Sequence, residues 1–353
     1  MAGRAAVCSV PLRKLCACSS QGQAPMIIPK YWAEARLQHR ERRRQVTVRR
    51  FGWSDLSLEQ AQAHAEARVA DAMAQIRAGV ELARRERRVA YNGADGLPIR
   101  EEVVQRKGES VITRNGYGAL CLNTPNVLFA DIDFVEAPDW RLRWTLTGLL
   151  ALAFALALGS AFGQGWGSAL VGGLLLGLIV GGVLSRLLFR SWMALSGGVE
   201  GLARRRIQRF VERRPDWRLH VYRTPAGLRL LAMHRLFDPR EPEVAAAFEA
   251  LGVDADYARM CRNQNCFRAR LTPKPWRIDL PRLRSPYAAA WRPEHADLPA
   301  RRSWVAKYER ASQGFAACRH VDALGSGQEH AVAAQVRQLH DSVCKSASVL
   351  PLA

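Results

Sequence analysis

Residues 144–185 read WTLTGLLALAFALALGSAFGQGWGSALVGGLLLGLIVGGVLS, a run of 42 residues without one charged side chain. About 20 apolar helical residues cross the hydrocarbon core of a bilayer, so the run holds two spans. Its middle, Gly159–Ser168, is short, polar and glycine-rich, with an interfacial type of tryptophan at Trp166. The expected structure is a transmembrane helical hairpin over 144–189, with helices at about 144–162 and 168–189. Both helices are apolar on every face, whereas a helix on the surface of a soluble core keeps one polar side.

The flanks set an orientation. Arg141 and Arg143 precede the first helix, Arg186 and Arg190 close the second, and the connection carries no charge. Basic flanks stay inside. The expectation is a multi-pass protein of a bacterial-type inner (plasma) membrane with both termini cytoplasmic. Gly173, Gly177 and Gly181 recur every fourth residue and draw a smooth stripe on the second helix. Such a stripe suits close packing against the first helix, or against a second copy in a homodimer.

Outward from the hairpin, residues 26–143 and 190–353 read as two parts of one cytoplasmic α+β domain, a mainly antiparallel sheet with flanking helices, because strands appear on both sides without regular βαβ alternation. Residues 1–25 fit neither a signal nor a domain: Arg13 and Lys14 interrupt the apolar core a secretory signal needs. They read as a disordered tail, or Met26 as the true start. Lys and Arg number 52 against 32 acidic residues, a net charge of +20. That excess favours anionic partners, whether lipid headgroups, nucleotide or nucleic acid. The arginines at 204, 205, 206, 209, 213 and 214 follow the second apolar helix, where anionic headgroups would attract them. The eight cysteines show no framework spacing, which excludes a secreted disulfide scaffold. Two helices without an internal charge offer no transport pathway unless the chain oligomerises.

Within the soluble parts, Gln45–Phe51 reads as a strand. Ser57-Leu58-Glu59-Gln60 opens a helix to about Arg87 in capping-box form. Pro98–Val104 reads as a short helix, and Asn115-Gly116 as a tight two-residue turn between strands 111–114 and 117–122. Leu219–Thr224 and Leu228–Met233 form a second hairpin around Thr224-Pro225-Ala226-Gly227. Helices are expected at 241–251, 254–262, 304–312 and 328–343, and strands at 266–271 and near 315–321.

One segment carries candidate chemistry. In the apolar strand Val127–Phe134, Asp131 and Asp133 are two residues apart and therefore share a face. Two carboxylates about 7 Å apart at a strand end make an oxygen ledge for Mg²⁺ or Mn²⁺; the alternative is pairing with the plentiful arginines. The turn at Arg223, Thr224 and Arg229 offers donors for a phosphate. Cys261-x4-Cys266 with Cys318 and His320 is a Cys₃His candidate for zinc, against plain buried thiols. There is no Walker loop, GxGxxG, nucleophile elbow or HExxH.

Together, the aspartate strand and the Thr-Pro-x-Gly-like hairpin resemble the core of the archaeo-eukaryotic primase (primase-polymerase) superfamily. The resemblance spans about 110–235 without the apolar insert. It implies divalent-metal-dependent nucleotidyl transfer or nucleic-acid processing, with Asp131 and Asp133 on the metal and the Thr224–Arg229 turn on nucleotide phosphates. Arg229 stands where that family usually has a histidine. Asp238 and Asp279 are the candidates for a third carboxylate.

Overall fold

The computed structural model describes residues 26, 28–41, 44–85, 97–134, 137–161, 165–283 and 291–353. The tail expected at 1–25 lies outside them, as does the centre of the apolar connection at 162–164. The described residues form a mixed α+β structure with eight α-helices and three antiparallel sheets.

The smallest sheet pairs β1 (Tyr31–Glu41) with β2 (Arg44–Ser54), and α1 (Leu58–Arg77) packs on it. Ser57 caps this helix by accepting a hydrogen bond from the Gln60 amide at 3.2 Å, which satisfies one of the orphan donors of the first turn. Ala61, Ala65, Val69, Ala72 and Met73 form its buried stripe. The helix stops at Arg77 rather than near Arg87, because Gly79 turns the chain with φ +88°.

The second sheet has the order β3 (Glu102–Lys107), β4 (Ser110–Arg114), β5 (Leu120–Thr124), β9 (Phe267–Arg270). The short helix expected at 98–104 is not formed. Residues 102–107 extend instead, with Glu102 opposite Arg114 and Val103 opposite Thr113; β-branched valines suit such a ladder. The connection after β4 is also longer than a two-residue turn. The Asn115 amide donates to the Ala119 carbonyl at 2.9 Å, and its side-chain oxygen accepts from the amides of Tyr117 and Ala119. The left-handed residue is Gly118, φ +102°, not Gly116.

The third sheet has the order β10 (Arg319–Leu324), β7 (Leu219–Arg223), β8 (Gly227–Ala232), β6 (Phe129–Asp133). Both four-stranded sheets therefore take strands from either side of the apolar pair. Around them pack α4 (Gly198–Arg213), α5 (Pro242–Leu251), α6 (Ala255–Gln264), α7 (Pro299–Ser312) and α8 (Ala331–Cys344). One core runs through this body, built on Phe129, Ile132, Ile207, Trp217, Leu230, Phe248 and Phe267.

The apolar run forms α2 (Trp140–Ala161) and α3 (Trp166–Leu195), two helices long and apolar enough to cross a membrane. At 1.5 Å per residue α3, 30 residues long, spans about 45 Å, longer than the roughly 30 Å hydrocarbon core of a bilayer. It continues past the expected end at 189 because arginine is a good helix former. Gly173, Gly177 and Gly181 are buried against Ala155, Ala151 and Thr147 of α2. Of the two partners open to this stripe, the first helix holds it here. Leu152, Leu156, Leu170, Leu175 and Ile179 point outward, more than half exposed.

Candidate functional site

β6 and β9 are the adjoining edges of the two larger sheets, and Tyr257 of α6 joins them. Its hydroxyl oxygen lies 3.0 Å from the Phe129 carbonyl and 2.9 Å from the Arg268 carbonyl. Beside this seam opens a cleft of about 620 Å³. Asp131 and Asp133 of β6 line it, with Thr224 of the β7–β8 turn, Arg229 of β8, Asp254 before α6, Arg268 and Arg270 of β9, and Lys274 and Arg282 after it. The strand and the hairpin singled out in the sequence are thus hydrogen-bonded neighbours, and five of the expected site residues are close in space. Four of these line the cleft; Arg223 instead turns aside, ion-paired to Glu200 at 3.1 Å and bonded to the Thr224 carbonyl.

The β6–β8 register sets Asp131 opposite Arg229 and Asp133 opposite Gly227. Glycine is needed there because a Cβ at 227 would run into the Ile132 carbonyl. Arg229 reaches across and grips Asp131 in both oxygens, Nε to Oδ1 at 2.7 Å and Nη2 to Oδ2 at 3.0 Å. Its side chain is 1% exposed, whereas that of Asp131 keeps 39% toward the cleft. Burial pushes the Asp131 carboxyl up, but Arg229 more than offsets this and holds it below the ordinary value. Asp133 is exposed and ungripped. Burial and then the charge of Asp131 push it up.

The aspartates are therefore one ion-paired carboxylate and one open one, and the pairing with arginine weighed in the sequence is what β6 makes. Neither Asp238 nor Asp279 lines the cleft; the further carboxylates there are Glu101 and Asp254, and Asp254 also caps α6 by accepting from the Tyr257 amide at 2.9 Å. Glu101 is neutralised in the same way as Asp131, by Arg268 at 2.8 and 2.6 Å. With those two pairs closed, Arg270, Lys274 and Arg282 face Asp133 and Asp254. Burial, then Arg270 and Arg277, hold the Lys274 ammonium below its usual range, as expected where like charges crowd.

The donors that reach metal-binding distance lie elsewhere. Among the described residues, Cys318, His340 and Cys344 form such a group, with their ligand atoms all within 4.8 Å of one another and all three side chains buried. The Cys₃His set expected from the sequence is not assembled. Cys318 turns to His340, His320 pairs with His220 at 3.1 Å, and Cys261 and Cys266 sit as buried thiols, Cys266 pushed up to about 12 by burial. His340 and Cys344 were missed although their spacing is informative, because residues four apart lie on one helix face.

No protein-family model matches the sequence, and neither a curated protein nor a solved structure gives a match.

Proposed function

We propose that this chain is an integral membrane protein whose α+β body, on the cytoplasmic side, binds an anionic, phosphate-bearing ligand in the cleft between β6 and β9. The observation that carries this reading is the cleft's charge. Asp131 and Glu101 are already neutralised, and Arg270, Lys274 and Arg282 outnumber the two remaining carboxylates, Asp133 and Asp254, in a protein with net charge +20. A phosphate gains charge-assisted hydrogen bonds there and relieves the crowding around Lys274. Exposed leucines on α2 and α3 support the membrane placement, since water is a poor neighbour for such a surface. The basic residues at both flanks support the orientation.

Two measurements test the reading. After a carbonate wash without detergent, the full-length chain is expected in the membrane pellet; recovery in the aqueous fraction would end the membrane assignment. In detergent, a fluorescent nucleoside triphosphate and a short labelled oligonucleotide are titrated against wild type, Lys274→Ala and Arg270→Ala. A hydrogen bond between charged groups is worth about 1.5–3 kcal/mol, so each substitution should weaken binding about tenfold or more. Binding should also fall as pH rises toward the lysine range, because Lys274 sheds its proton early. Undisturbed binding in both variants, or none in wild type, removes the cleft from consideration.

A second reading has its own support: Asp131, Asp133, Thr224 and Arg229 share this cleft with Asp254. It is the metal-dependent nucleotidyl transfer implied by the primase-like resemblance. Asp133→Asn is the clean test, because that side chain is exposed and outside the ion pair. If Mn²⁺ or Mg²⁺ binding and nucleotide incorporation exist and survive the substitution, Asp133 holds no catalytic metal. The grip of Arg229 on both Asp131 oxygens weighs against this reading.

A further inference from the structure

Beneath the third sheet, behind the cleft-lining Arg229 and Arg270, α8 presents His340 and Cys344 one turn apart, and Cys318 comes to meet them just before β10. The His340 ring is packed between Phe129 and Tyr222, with centroids at 5.2 and 4.8 Å. Its Nδ1 lies 2.9 Å from Asp341 Oδ1, so Nδ1–H donates to the carboxylate and the proton stays on Nδ1, leaving the Nε2 lone pair aimed at Cys318. Cys318 Sγ lies 3.8 Å from Nε2. Zn–S of about 2.3 Å and Zn–N of about 2.05 Å at tetrahedral angles place sulfur and nitrogen about 3.6 Å apart. The Arg270 carbonyl oxygen stands 3.7 Å from Cys344 Sγ, within reach of the fourth corner.

We propose that Cys318, His340 and Cys344 form a structural site for a thiophilic divalent cation, Zn²⁺ first, that fastens α8 to the strand β10 beneath the β6–β8 sheet. The charges balance. Two thiolates cancel the cation, and the neighbouring Arg229 is already neutralised by Asp131. Arg229 Nη1 approaches Nε2 at only 3.3 Å; on metal binding it gives up that long contact and keeps its bond to the Arg270 carbonyl at 2.7 Å. Asp341 is the positioning residue, since a carboxylate on the far ring nitrogen fixes the tautomer a metal needs. A nucleophilic role for the same Cys, His and Asp fails on access, because Cys318 and His340 have no exposed surface.

The test uses full-length protein purified in detergent under reducing conditions. Elemental analysis should find one zinc per chain, and replacement by Co²⁺ should give thiolate-to-cobalt charge transfer with tetrahedral ligand-field bands. Cys318→Ser and Cys344→Ser should each abolish that spectrum. Asp341→Asn, which keeps the three ligands, should weaken zinc about 10–100-fold, and Cys261→Ser with Cys266→Ser should leave stoichiometry unchanged. Because a ligand variant can fail to fold, the wild-type cobalt spectrum decides: a spectrum without thiolate bands overturns the proposal. So does zinc-free protein that takes up none on reconstitution, or a Cys318–Cys344 disulfide in freshly isolated, native chain.

Discussion

Asp131→Ala should cost about 3–5 kcal/mol of folding stability, because it strands a buried guanidinium without its counter-charge. Arg229→Leu, at the other end of the same ion pair, should cost less, about 1–3 kcal/mol. The asymmetry follows from exposure. Arg229 is 1% exposed and cannot find water once Asp131 is gone, whereas Asp131 is 39% exposed and can be solvated from the cleft once Arg229 is gone. The arginine's other bonds, to the Arg270 carbonyl and His340, bring no negative charge and do not replace Asp131. Denaturant unfolding of the full-length chain in detergent gives both values; equal costs, or the reverse order, would mean that Asp131 is not what keeps Arg229 folded in place.

The same pair sets an acid limit. The folded-state value of Asp131 is depressed, below the unfolded reference of about 3.9. Its contribution is therefore present in full above that reference and is lost as pH falls through the folded value. Wild type should lose stability below about pH 4 along a limb that Asp131→Ala lacks. If both proteins decline alike, other carboxylates carry the acid transition.

This ion pair also shows where sequence reading stops. That Asp131 and Asp133 share a face follows from the two-residue period of a strand, and β6 places them so. That Arg229 stands opposite Asp131 depends on the β6–β8 register across 98 positions and an entire apolar insert, and no local pattern encodes such a register. The apolar pair was legible because apolarity on every face leaves one economical arrangement. Its glycine stripe was legible as a packing face, but not as to which helix it packs on. The stretch 98–104 was misread because an N-terminal proline suits a helix start, while Val103 and Val104 prefer the strand that β4 completes. Asn115-Gly116 was misread because the Asn side chain bonds forward to Tyr117 and Ala119, widening the loop. Cys318 was assigned to His320 by proximity in sequence. Cys318 precedes β10, and Ala317 bonds to the Cys344 carbonyl, which draws the thiol inward toward α8 while His320 faces His220.

A further large effect is expected at Gly177. A Cβ there would sit 2.6–2.7 Å from the backbone nitrogen, Cα and Cβ of Ala151, and one at Gly173 would sit 2.6 Å from the Ala151 carbonyl oxygen and the Ala155 nitrogen. Backbone atoms cannot rotate aside, so Gly177→Ile must push α2 and α3 apart along their whole contact. Overpacking of this kind costs about 1–3 kcal/mol, occasionally more. In the proposed membrane setting nothing like the hydrophobic effect restores the pair, because association in lipid rests on close approach of the helices. Gly182→Ile is the matched control, since a Cβ at that position meets nothing within 4 Å. Cysteines placed on facing positions of α2 and α3 should cross-link efficiently in wild type and Gly182→Ile, and poorly in Gly177→Ile. If instead cross-linking survives while light scattering shows a dimer of wild type falling to a monomer in Gly177→Ile, the stripe serves a second copy of the chain, and the packing of Gly177 on Ala151 is not what holds the hairpin together.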